Sequence, residues 1–116
     1  MSRAEAERRG RRAEVAAAWW LRLKGYRILG VRVRCARGEV DLVARRGRTL
    51  VFVEVKQRAT GDAAAFAITA HSLARVVRAA EALAPRYVRA GDAIRIDAVL
   101  VASGRVPRHI ANIWHG

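Results

Sequence analysis

Two short stretches, Gly38-Glu39-Val40-Asp41-Leu42-Val43 and Phe52-Val53-Glu54-Val55-Lys56, decide how this chain is read. Both alternate apolar β-formers with other residues, so both are predicted strands, and Arg45-Arg46-Gly47-Arg48-Thr49 punctuates them. Gly47-Arg48 suits a two-residue type II′ hairpin turn, which wants Gly at its first central position. Such a turn sets the register, with Asp41 opposite Glu54 and Glu39 opposite Lys56. Facing side chains then lie roughly 4.5–5.5 Å apart at Cβ, and alternate residues share a face. One face is therefore expected to carry Glu39, Asp41, Glu54 and Lys56, and the other Val40, Leu42, Val53 and Val55.

Two carboxylates and an amine on one patch suggest a chemistry. Oxygen-only ligands suit a hard cation such as Mg²⁺, which keeps several waters and takes the rest of its shell from phosphate. A lysine two residues beyond the second carboxylate can orient or deprotonate an attacking water, or neutralise charge in the transition state of phosphodiester cleavage. The same alternation also describes the wet face of an ordinary antiparallel hairpin, with Glu39 paired to Lys56. Spacing alone leaves both readings open.

The arrangement Asp41…Glu54-x-Lys56 resembles the PD-(D/E)xK nuclease signature. The chain as a whole resembles the YraN-like family of small bacterial proteins, which are similar in turn to archaeal Holliday-junction resolvases. The resemblance runs from Gly10 to about Trp114 through Gly10-x-x-x-Glu14, Gly25-Tyr26-Arg27-Ile28-Leu29, the two stretches quoted above, Arg95-Ile96-Asp97 and His109-Ile110-x-Asn112. It implies an α/β fold with a restriction-endonuclease-like αβββαβ core, a mixed sheet with a helix on each side. It also implies a metal-dependent endonuclease acting on DNA, with branched DNA a candidate substrate. Asp41, Glu54 and Lys56 would be catalytic, Asp41, Glu54 and Glu14 would hold Mg²⁺ or Mn²⁺, and Arg58, Arg75 and Arg78 would grip the nucleic acid. Relatives carry lysine near Ser72 and threonine at Gln57, which is where this chain departs from the pattern. A non-catalytic nucleic-acid-binding module, or a basic protein-interaction module, is the alternative.

At 116 residues the chain is expected to form one domain over 1–116. Hydrophobic residues at 53% exclude intrinsic disorder. The formal charge of +13 arises from 23 Lys and Arg against 10 Asp and Glu, and only Lys24 and Lys56 are lysines. Arginine offers a flat bidentate fork for phosphate, so nucleic acid is the leading partner, ahead of an acidic membrane surface or acidic protein. Cys35 is the only cysteine, which excludes an intrachain disulfide and a zinc-ligand cluster. No stretch approaches the roughly 18 apolar residues of a membrane span, and no apolar signal segment opens the chain, so a cytoplasmic location is expected.

The first helix is expected over about Arg3 to Lys24, closed by Gly25 and weakened early by Gly10. Glu14 shares a face with Ala17, Ala18 and Leu21, where it needs a cation, or pairs with Arg11 or a residue one turn on. Tyr26 to Arg34 is a predicted strand with Ile28, Val31 and Val33 as core candidates. A loop follows over Arg58 to Asp62, then a helix from about Ala64 to Ala84 that Pro85 stops. Ile94 to Ala102 is the next strand, parallel to the Phe52 strand because a helix makes the crossover. Ile110 to Trp114 is a possible last one. Asp97 is expected to pair with Arg95 or the first helix, and His71, His109 and His115 are not spaced for a metal triad. Trp19 and Trp20 face different ways, and one of them is a core or dimer contact, so a homodimer is compatible with the sequence.

Overall fold

The computed structural model describes residues 2–58 and 68–114. Helix α1 (Arg3–Leu23) leads into the strands β1 (Arg27–Cys35), β2 (Gly38–Arg46) and β3 (Thr49–Arg58). Helix α2 (Ala70–Tyr87), β4 (Ala93–Ala102) and β5 (Arg108–Ile110) follow. The strands form one mixed sheet in the order β1-β2-β3-β4-β5, antiparallel except for the parallel β3–β4 pair. The expected αβββαβ order is present, with a short fifth strand added at the far edge.

Both helices owe their ends to local chemistry. The Ser2 hydroxyl caps α1 by accepting the Glu5 N–H at 3.1 Å, and the helix runs unbroken through Gly10. At the other end Tyr26 N–H donates to Leu21 O and Gly25 N–H to Arg22 O, both at 3.0 Å. This is a Schellman closure, and Gly25 sits at the left-handed position with φ +92°. Helix α2 begins later than its apolar pattern suggests. Ile68 and Thr69 are outside it, and the expected residues 64–67 and the Thr60-Gly61-Asp62 turn lie outside the described residues. Thr69 caps it by accepting the Ser72 N–H at 3.0 Å, and Ser72 turns its hydroxyl back to Thr69 O at 3.1 Å. Ser72, where the resemblance implies a lysine, is here part of a helix cap.

Pro85 does not stop α2. It sits in the last turn, and Val88 N–H still donates to Ala84 O at 2.9 Å, because the proline removes only its own N–H. The extra turn brings Tyr87 O to Arg45, whose buried guanidinium also clamps Asp92 through two bonds of 2.8 Å. That clamp, with the Arg89 N–H, holds the Asp92 carboxyl down at about 2.

Each sheet face is buried by one helix. Val43, Leu50, Phe52 and Ile96 pack under Val76, Ala80 and Leu83 of α2. Leu42, Ala44, Val51, Val53 and Val99 pack under Ala17, Ala18 and Leu21 of α1. The Gly47-Arg48 turn sets the expected register, with Leu42 opposite Val53 and Arg46 opposite Thr49. Gly47 has φ +59° and Arg48 is not left-handed, the combination of a type II′ turn.

The expected alternation fails at one place. Val40 packs with the α2 face, whereas Leu42, two residues on, packs with the α1 face. The cause lies on the neighbouring strand, where Val31 pairs with Leu42 and Val33 with Val40, so Arg32 falls opposite Asp41. Arg32 has φ +49°, a left-handed residue that breaks the pleat of β1 and carries β2 with it. Val31, an expected core residue, is consequently 53% exposed. At the far edge β5 spans Arg108–Ile110, earlier than the expected Ile110 to Trp114, because His109 and the Asn112 N–H are drawn to Asp97. Asp97 is fully buried and also accepts two hydrogen bonds from Arg95, as expected.

Replacing Gly25 by Ala should cost about 1–2 kcal/mol, the left-handed penalty for an L side chain. Gly10→Ala should instead stabilise by roughly 0.5–1 kcal/mol, since a methyl there meets no atom within 4 Å and improves helix propensity. Urea denaturation should show midpoints moving in opposite directions with unchanged slopes. Movement in the same direction would refute the closure argument.

Candidate active site

The β2–β3 ladder ends at Leu42↔Val53, although β2 continues on β1 as far as Gly38 and β3 continues on β4 as far as Arg58. The two strands fork there, and Asp41 and Glu54 are the first residues past the last rung. Forking leaves backbone groups without a strand partner. The Asp41 carboxylate supplies one, accepting the Val55 N–H at 2.8 Å through Oδ2.

A recess of about 490 Å³ opens at the fork, lined by Arg34, Gly38, Glu39, Asp41, Glu54 and Arg75, with Cys35 beside them. A neighbouring recess of about 380 Å³ on the α1 side is lined by Glu7, Glu14 and Arg32 among others, and shares Arg34 and Glu39 with the first. Asp41 and Glu54 therefore line one cavity, while Glu14 lines the next. Lys56 is half-buried and lines neither. It acts on the site through its charge, which together with Arg75 partly offsets the rise in the Glu54 pKa.

Burial pushes the Asp41 carboxyl up to about 7, and the charges of Glu54, Glu14 and Glu39 push the same way against the Val55 hydrogen bond. Glu54 is also raised, chiefly by burial. Such excess negative charge in a half-buried recess favours a bound cation. Each of the three glutamates also faces an arginine. Arg32 Nε donates to Glu14, Arg34 Nε donates to Glu39 at 2.9 Å, and Arg75 lies 3.9 Å from Glu54. The Glu14 partner is the left-handed Arg32 of β1, not Arg11 or the next helical turn as expected; Arg11 is engaged with Glu7.

Among the described residues no three His, Cys, Asp or Glu side chains are gathered to hold a metal ion. The donor chemistry still fits Mg²⁺ or Mn²⁺, since these ions use one or two carboxylates and complete their shell with water and phosphate. Of the expected nucleic-acid contacts, Arg75 lines the recess, Arg78 is exposed on α2, and Arg58 donates to Gln57 O at 2.7 Å. Arg32, Arg34 and Cys35 were not singled out as site residues from the sequence. The signal for the arginines was Arg32-x-Arg34 on the strand next to the acidic one.

The uncharacterised protein family UPF0102 matches residues 13–101, and the chain belongs to that family, the YraN-like one that its motifs resemble. A UPF0102 protein of Sphingopyxis alaskensis is 58% identical over 114 residues, covering 98% of each chain. One from Rhizorhabdus wittichii is also 58% identical over 114 residues, and one from Caulobacter vibrioides is 48% identical over 117. Among the described residues no helix is long and apolar enough to cross a membrane.

Asp41 has a folded pKa of about 7 against an ordinary 3.8, so between those values the folded protein keeps a proton that the unfolded chain has lost. Stability should therefore fall as pH rises through that window, by at most about 1.4 kcal/mol per pH unit. Asp92 and Asp97 are shifted the other way and affect only more acidic solutions. Asp41→Asn should flatten most of the decline in urea denaturation between pH 4 and pH 7. An unchanged slope in the variant would place the titration on another group.

Proposed function

We propose that this chain is a Mg²⁺- or Mn²⁺-dependent endonuclease hydrolysing DNA phosphodiesters, with branched DNA the first substrate to test. The observation that carries this reading is the pair Asp41 and Glu54 at the β2–β3 fork, sharing one cavity, both with raised pKa values. Asp41 and Glu54 would hold the ion, with Glu14 in the adjoining recess assisting; the ion would supply Lewis-acid polarisation of the phosphodiester. Lys56 would place or deprotonate the attacking water from the α2 side of β3. Arg75 is held near Glu54 only at long range and is free to turn to a phosphate once substrate enters. The positive excess of the surface would draw DNA in and hold its backbone.

A second reading is a nucleic-acid-binding module without turnover. It is favoured by the arginines already seated on Glu14 and Glu39, which complete the charge balance without a metal.

Four measurements separate these readings. Mn²⁺ should raise the melting temperature of the wild type and much less that of Asp41→Ala, because a ligand that binds only the folded state stabilises it by mass action. Purified protein with Mg²⁺ or Mn²⁺ should cut at least one of a set of linear, nicked, flapped and four-way DNAs. Lys56→Ala should abolish that cleavage while DNA affinity stays within about threefold, since one charge among many contributes little to the long-range field. Arg75→Ala with Arg78→Ala should weaken binding and flatten its salt dependence. Salt-sensitive binding without any cleavage would favour the binding module. Absence of binding at modest salt would point to an acidic protein partner.

A further inference from the structure

We propose that the recess between α1 and the carboxyl ends of β3 and β4 is a second phosphate site, where Arg9 and Arg12 grip a nucleic-acid backbone beside the carboxylate cavity. The proposal rests on the nucleic-acid reading above and extends it to a specific surface. The recess measures about 550 Å³ and is lined by Arg9, Arg12, Ala13 and Ala16 of α1, with Gln57 of β3 and Ser103 beyond β4.

Its chemistry differs from that of the two recesses at the fork. Those contain Glu39 with Asp41, Glu54 or Glu14, whereas among the described residues this one has no carboxylate in its lining. Two guanidinium groups, an amide and a hydroxyl all offer donors, and no described acid competes for them. Arg9 and Arg12 are three residues apart, so they stand on one face of α1. Among the described residues neither Arg9 nor Arg12 is in an ion pair, and Glu7 and Glu14 on the same helix are taken by Arg3, Arg11 and Arg32, which leaves the positive charge of the pair uncancelled. Ala13 and Ala16 contribute only methyl groups to the wall of the recess.

Position decides which anion fits. Gln57 lies three residues beyond Glu54 on β3, about 10 Å along the strand and on the opposite, α1 face of the sheet. The recess also opens at the carboxyl end of the parallel β3–β4 pair, where open α/β sheets bind ligands. A backbone passing over this end of the sheet from the α2 face to the α1 face meets the acidic cavity at the fork and then the donor-rich recess. One aligns a phosphodiester for attack, and the other holds a neighbouring phosphate of the same nucleic acid.

The test compares two double variants that remove equal charge. Arg9→Ala/Arg12→Ala empties the recess, whereas Arg86→Ala/Arg89→Ala removes two arginines near the opposite end of the sheet. Binding of a fluorescein-labelled four-way DNA and of a labelled duplex is read by anisotropy in EDTA across a salt series, so cleavage plays no part. The Arg9/Arg12 variant should lose at least about tenfold in affinity at low salt, and its log–log salt slope should shrink by about 1–2, the value for one or two phosphate contacts. The Arg86/Arg89 variant should stay within about twofold of wild type, and Gln57→Glu, which places a carboxylate in the recess, should mimic the loss. Equal losses in both double variants would mean that only net charge matters, and would overturn the proposal. Binding by the wild type that survives Arg9→Ala/Arg12→Ala would also overturn it while leaving the carboxylate site untouched. The expected loss in a protein that cuts no DNA would support the recess and sink the nuclease reading instead.

Discussion

The Val55 amide has no strand partner, and the Asp41 carboxylate takes that place. Much of the site follows from this one substitution of side chain for backbone. Next to the fork, where β2 and β3 are still paired, the facing residues Leu42 and Val53, Val43 and Phe52, and Ala44 and Val51 are apolar and closed over by helices. Where they part, a buried N–H must find an acceptor, and a carboxylate is the strongest one a side chain can offer. The fork therefore needs an acid at Asp41 for the fold as well as for any chemistry. The pKa shift of Asp41 sums that conflict. The Val55 bond holds the proton off, while burial and three nearby carboxylates press it on.

The fork has its own cause one strand further out. Arg32, left-handed in β1, sits across from Asp41 and sends its guanidinium to Glu14 on α1. This left-handed residue accompanies the change of phase in β2 between Val40 and Leu42 and the outward turn of Val31, and it supplies the cation that makes a half-buried glutamate tolerable. A left-handed non-glycine residue costs about 1–2 kcal/mol. The charge-assisted bond to Glu14 is the compensating contact the structure offers, which ties the geometry of β1 to the acidic recess.

Much of this was legible in the sequence because it is encoded locally. The Gly47-Arg48 turn carries its own backbone preference, so it set the β2–β3 register without help from the rest of the chain. Gly25 announced the end of α1 for the same reason. Asp97 found Arg95 two residues away on its own strand. What was not legible depends on contacts between distant segments. The phase change at Asp41 comes from a residue on the neighbouring strand. Glu14 finds its partner 18 residues away in β1. His109 was set aside because no metal triad could include it, yet its ring lies buried between Asp97 and Lys24, with bonds of 2.7 and 2.6 Å. Pro85 was read as a stop because a proline inside a helix usually costs a hydrogen bond. In the last turn that cost is small, and the extra residues carry Tyr87 O to a buried arginine.

The pairing of charges also explains how a protein this basic can present an acidic cavity. Several of its acids have been assigned an arginine each: Asp92 has Arg45, Asp97 has Arg95, and Glu14, Glu39 and Glu54 face Arg32, Arg34 and Arg75. The two aspartates are buried and doubly bonded to their arginines, so those pairs serve the core. The three glutamates are held by single contacts from arginines that keep more than a third of their side chains exposed. The exposed pair among them, Arg34–Glu39, is worth little, roughly 0–1 kcal/mol, and is easily exchanged for a stronger partner. Among the described acids that line the recesses at the fork, Asp41 alone has no arginine, only an amide. The site is therefore neutralised in a form that can be undone, with the arginines near at hand to meet whatever anion displaces them, and that separates it from the buried pairs that hold the fold.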